Sequence, residues 1–190
     1  MTVFARLEAF ARRPAAGATI AVWAAAEAIV LPVVPDVGLG LLVLAAPRLA
    51  GRLFLAVVAG ALVGTVLLAI LATAAPDSAR AMLIRIPGID AATLAEADAK
   101  LAGEGIAGFA QFGPGAPLKV YTEAWVRRGG DITGLLVGTV LNRLARIGPA
   151  ILVAAVLGWR LGSWIRKRER LILLAYSAFW LAVYVVLYSA

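Results

Sequence analysis

Six ionisable side chains lie within or beside apolar stretches, and they are the candidates for chemistry. Glu27 and Asp36 bracket Pro32 and Pro35 in E-A-I-V-L-P-V-V-P-D. Lys119 and Glu123 follow Pro114 and Pro117 in G-P-G-A-P-L-K-V-Y-T-E, and Arg143 and Arg146 interrupt an apolar run in N-R-L-A-R. A charge left facing hydrocarbon is costly, so each group needs a partner, water or a polar cavity. Arg143 and Arg146, three apart, share one helix face and should point into the protein, in an ion-paired or functional role. Glu27 and Asp36 either cap a loop between two short helices or line a polar site in a broken, membrane-embedded hairpin. The rest of the chain favours the second reading. Lys119 and Glu123 have the i,i+4 spacing of a local ion pair.

The elements that would position these groups follow from the runs between them. Residues 1–13 place Val3, Phe4, Leu7 and Phe10 on one helical face, which predicts an interfacial helix. Residues 15–47 read as an apolar arm, a break at Pro32 and Pro35, and a second arm too short to cross about 30 Å of hydrocarbon. That pattern predicts a re-entrant hairpin, tolerable only where its irregular backbone is buried in protein or faces water. Residues 53–75 form a span whose Gly60-x-x-x-Gly64 offers a small-residue packing face. Residues 76–104 are the polar, extramembrane block, read as a surface helix with Asp90 as its N-cap, Leu94, Ala97 and Leu101 on one face, and Gly103 and Gly105 as terminators. Residues 105–127 repeat the pattern of the first hairpin, broken at Pro114 and Pro117. Residues 132–159 read as a span with interior arginines, 160–170 as a basic loop, and 171–190 as a last span. The expected fold is an all-α integral membrane protein, with two opposed re-entrant hairpins, about three full spans and an interfacial N-terminal helix.

Composition closes off several function classes. Of 190 residues, 63% are apolar and only 15% charged, against about a quarter charged in a soluble domain. There is no Cys and no His. Disulfides, thiol chemistry, the usual zinc or haem ligands and His-based triads are thereby excluded. Neither a cluster of acids suited to a metal nor a Gly-rich phosphate loop is evident, so no cofactor and no enzyme activity is expected. The net charge of +7 fits basic loops against anionic lipid better than nucleic acid. With the N terminus on the cytoplasmic side, ten bases lie inside (Arg6, Arg12, Arg13, Arg48, Arg52, Arg160, Arg166, Lys167, Arg168, Arg170). Five lie outside (Arg80, Arg85, Lys100, Arg127, Arg128). This bias obeys the positive-inside rule and makes the hairpins enter from opposite faces, a pattern of secondary transporters.

From about Glu27 to Arg170 the sequence resembles the DedA superfamily, the membrane proteins with a VTT (SNARE-associated) domain. E-x-x-x-x-P-x-x-P-D at Glu27–Asp36 is similar to the family's first hairpin, and Pro47 with Gly60 and Gly64 to its next helix. P-L-K-V-Y-T at Pro117–Thr122 resembles the second hairpin, and N-R-L-A-R the Gly-Arg-x-x-Arg signature. Glu123 and Trp125 stand where the family has small residues, Asn142 where it has Gly, and Gln111 or Gly113 where many members have Arg, as in a divergent member. The resemblance implies a bacterial inner-membrane protein that moves a lipid phosphate, such as undecaprenyl phosphate or a phospholipid, by flippase or scramblase action with proton-motive-force dependence. Arg143, Arg146 and Lys119 would then hold the phosphate. Glu27, Asp36 and Glu123 would neutralise the cations or carry protons. The alternative is a proton- or cation-coupled transporter of a small solute. The expected partners are membrane lipids and not nucleic acid, and a homo-oligomer is open.

Overall fold

The computed structural model describes residues 2–112 and 115–189, with side chains as far as Val186. Pro114, one of the expected break residues, lies outside the described residues. Every element is helical: α1 (Val3–Ala11), α2 (Pro14–Ile29), α3 (Asp36–Ala45), α4 (Ala50–Ala74), α5 (Pro76–Ile84), α6 (Ala91–Glu104), α7 (Leu118–Arg127), α8 (Ile132–Arg146), α9 (Gly148–Lys167) and α10 (Glu169–Ser189). Short 3-10 turns cover Pro47–Leu49 and Gly105–Phe109. Among the described residues, three segments are long and apolar enough to cross a membrane: Pro47–Ala74, Gly148–Lys167 and Glu169–Val186.

The centre of the molecule is the α2–α4 pair, whose backbones touch. A Cβ built at Gly60 would overlap the Ala21 carbonyl oxygen, and one at Gly64 the Ala25 carbonyl oxygen. One turn earlier, Gly17 faces Ala56. The matched order 17–56, 21–60, 25–64 means that α2 and α4 run parallel. The chain must therefore turn back between them, which α3 accomplishes. Pro32 and Pro35 explain where: proline lacks the amide proton and clashes with the preceding turn, so α2 ends at Ile29.

Several expected boundaries are different. Residues 132–159 do not form one span: α8 ends at Arg146 and α9 begins at Gly148 with Pro149 in its first turn. Proline is comfortable only in a first turn, so the run breaks there. Arg143 and Arg146 consequently lie in the last turn of α8, beside an elbow, and not in mid-span. The basic stretch 160–170 is mostly helix, completing α9, with a turn at Arg168. The first arm of the second hairpin is not an apolar helix. Gly105–Phe109 is a 3-10 turn, pinned by Phe109 packed on Gly138. The polar block is two helices rather than one surface element. The Ile86–Ile89 turn between them is buried at both isoleucines, as are Leu94, Ala97 and Leu101 of α6.

Asp90 does cap α6, accepting from the Thr93 amide and hydroxyl at 2.7 Å each, and these bonds hold its carboxyl below the usual range. A lowered carboxyl stabilises the fold above its unfolded pKa and is lost as pH falls through the folded one. The protection factors of amides in the first turn of α6, taken against their intrinsic exchange rates at each pH, should therefore fall on acidification through that range, and Asp90→Ala should abolish the fall.

The glycine contacts give a sharper test. Gly60→Val and Gly64→Val force backbone apart and should lower the thermal midpoint in detergent strongly or prevent folding, whereas Gly51→Ala, where a Cβ meets nothing within 4 Å, should be neutral. Equal midpoints for Gly60→Val and Gly51→Ala would show that the α2–α4 contact contributes nothing.

Candidate functional site

The two proline breaks meet. The end of α2 leaves backbone carbonyls without intrahelical partners. Just past that end, in the turn before Pro32, Leu31 O accepts a 2.6 Å hydrogen bond from Lys119 Nζ, which is almost completely buried. Lys119 belongs to the first turn of α7, and helical side chains lean toward the N-terminus. Its ammonium therefore reaches past the start of α7 to the break that follows α2. From that contact α7 packs along α4, and its next turn carries Glu123, 3.4 Å from Arg80 on α5.

Behind this contact Glu27 of α2 is ion-paired with Arg143 of α8, and both are buried. Neighbouring groups on α8 fix the register. Thr139 hydrogen-bonds Thr65 of α4 at 3.3 Å, and Asn142 Nδ2 donates to Phe109 O at 3.1 Å. The Asn142 amide thus satisfies a carbonyl of the irregular second break. The Gln111 amide does similar work there. Oriented so that both its groups are satisfied, it donates to Ala116 O at 2.9 Å and accepts from the Ala116 amide at 3.2 Å.

In front of the pair is a cavity of ≈ 700 Å³. Glu27, Asp36, Lys119 and Arg146 line it, with Pro32 and Pro117 from the two breaks. Among the described residues, Arg146 has no carboxylate within 4.0 Å, and Asp36 Oδ1 is buried without a hydrogen-bond partner. Three cations, Lys119, Arg143 and Arg146, and two carboxylates, Glu27 and Asp36, therefore share one region, an excess of one positive charge when all are ionised. Such a set can bind an anion and exchange a proton. Among the described residues no group of three or more carboxylates comes together to hold a metal ion.

Five of the six sequence-derived candidates converge; Glu123 does not. It is buried away from the cavity and pairs with Arg80 at 3.4 Å and Arg127 at 3.5 Å, while Arg127 also pairs with Asp98. No Lys119–Glu123 pair forms, because Lys119 is drawn to the Leu31 carbonyl. Glu123 ties α7 to α5.

Other participants escaped the sequence reading. The Tyr184 hydroxyl accepts from the Val34 amide at 3.1 Å, and the Tyr176 hydroxyl donates to Val37 O at 2.8 Å. Trp180 lies between them, edge-on to Tyr176 and tilted against Tyr184, and lines the cavity. Their i, i+4, i+8 spacing was the available signal, since it places all three on one face of α10. No family model, no curated protein and no solved structure matches the chain.

Removing one partner of a buried ion pair costs about 3–5 kcal/mol, because the other charge is stranded. Glu27→Ala should therefore destabilise the protein more than the double variant Glu27→Ala/Arg143→Met. Thermal unfolding in detergent checks this, and strictly additive losses would mean that the two groups are not coupled.

Proposed function

We propose that this chain is a divergent DedA-superfamily protein of the bacterial inner membrane that moves a lipid phosphate between leaflets. The observation that carries the reading is the cavity between the two breaks, which combines unpaired positive charge with an apolar wall. In this reading α4, α9 and α10 span the bilayer, α2–α3 and the segment ending in α7 are re-entrant hairpins entering from opposite faces, and the N terminus is cytoplasmic. Exposed Leu55, Val63, Leu67, Ile70, Leu152 and Leu174 on the spanning helices support a lipid surround.

The phosphate is held first by Arg146, whose planar guanidinium suits bidentate contact, with Lys119 as a point charge. Arg143 is held in reserve by Glu27. A phosphate that competes with Glu27 for Arg143 frees the guanidinium, and the pair re-forms when the anion leaves. Asp36, facing the same cavity, is the proton acceptor. The reaction is translocation, with no bond made or broken in the lipid.

Reconstitution in liposomes with leaflet-specific labelling of phospholipid and polyprenyl phosphate tests this. Wild type should move one of these lipids faster than empty liposomes. Arg146→Ala should slow it about tenfold or more, the value of a hydrogen bond to a charged group. Asp36→Asn should slow it as well, and Arg168→Ala, at the turn between α9 and α10, should not. Transport of neither lipid above the empty-liposome rate sinks the proposal. Proton coupling falls separately if an imposed pH gradient leaves the rate unchanged.

A further inference from the structure

Glu123 is the sequence-derived candidate that the cavity leaves out, and its surroundings bear on Lys119. Lys119, Glu123 and Arg127 recur every fourth residue and form a charged stripe along one edge of α7. Each finds its partner on a different element. Lys119 meets Leu31 O, Glu123 meets Arg80 of α5, and Arg127 meets Asp98 of α6. Arg127 also reaches back to Glu123 at 3.5 Å. The result is a chain of alternating charge, Arg80–Glu123–Arg127–Asp98, that fastens the edge of α7 to the polar block.

Burial along that chain is uneven. The Glu123 side chain is 3% exposed, against 35% for Arg80 and 43% for Arg127. The arginines reach water without Glu123, whereas Glu123 depends on them. A buried carboxylate deprived of its cations is costly and takes the next one within reach. That cation is Lys119, one turn away, at the i,i+4 spacing where helical side chains meet. Lys ahead of Glu is the weaker order for such a pair, so the two arginines outcompete it. The opposing hold on Lys119 is slight: among the described residues its ammonium has Leu31 O as its one hydrogen-bond partner.

The consequence lies in the charge of the cavity. With Glu123 held by the arginines, Lys119, Arg143 and Arg146 face Glu27 and Asp36, one positive charge in excess. With Glu123 on Lys119 the set balances, and an anion loses one of its ligands.

We propose that Arg80 and Arg127, the latter held by Asp98, position Lys119 by occupying Glu123, and so keep its ammonium available to an anion in the cavity. The use of Lys119 as an anion ligand rests on the phosphate reading above; the exchange of partners by Glu123 does not. The polar block thereby sets the charge of a cavity that these four residues do not line.

The test treats the full-length protein in nanodiscs with a membrane-permeant carbodiimide, which joins a carboxylate to an amine in contact with it. Mass spectrometry reads the Lys119–Glu123 amide as the loss of one water from the peptide that holds both. Wild type should give none, and Arg80→Gln/Arg127→Gln should give it. Arg80→Gln alone, which keeps Arg127, should give a smaller yield and serves if the double variant fails to fold. Adding Glu123→Gln should abolish the product. Leu94→Ala, a truncation in the core of α6, controls for general loosening. A crosslink in the wild type, none in the folded arginine variants, or an equal one in Leu94→Ala overturns the positioning role. The anion is followed separately, as protection of Arg146 from phenylglyoxal by butyl phosphate. The concentration that protects should rise about tenfold in Arg80→Gln/Arg127→Gln, the value of one hydrogen bond to a charged group. Unchanged protection beside a clear crosslink overturns Lys119 as an anion ligand. Protection in neither protein removes the phosphate reading, and the crosslink alone then decides the exchange of partners.

Discussion

The hydrogen bond from Lys119 to the Leu31 carbonyl is the constraint on which the rest of the arrangement depends. A helix that stops inside an apolar surround leaves polar backbone that must be satisfied within the protein. Here the satisfying group comes from the other broken segment, so each break is tolerable because the other exists. The ammonium is itself buried and finds its acceptor only at that tip. Glu27 and Arg143 then close the same junction from behind, between α2 and α8.

Much of this was legible in the sequence because it rests on local rules. Prolines 32 and 35 fix where α2 must end, Asp90 and Gly105 mark both ends of α6, and Gly60 and Gly64 mark a close backbone approach. The convergence of Glu27, Asp36, Lys119, Arg143 and Arg146 followed from one argument about charge in an apolar surround. For Glu123 the same argument stops short. It says that a buried carboxylate needs a partner, but not which of the available cations lies across from it.

What stayed hidden depended on tertiary placement. Hydrophobicity alone merges 132–159 into one run, since the break at Ile147 adds no polar residue; the signal was the Gly148-Pro149 pair. The buried Ile86–Ile89 turn sits among polar neighbours, so composition assigned it to solvent. The tyrosines of α10 looked like ordinary residues of a spanning helix until the backbone groups of Val34 and Val37 were seen opposite them.

The contact of Ala21 and Ala25 with Gly60 and Gly64 has a mechanical consequence. Backbone pressed on backbone leaves no flexible side chain to absorb a shift, so α2 and α4 behave as a single stiff beam. Compliance is then left to the parts joined by side chains alone, namely the two proline tips and α10. A displacement of Asp36 relative to Arg146 would be borne by bending at Val30–Pro35 and at the Ile147 elbow, with the beam serving as the fixed frame against which those joints work.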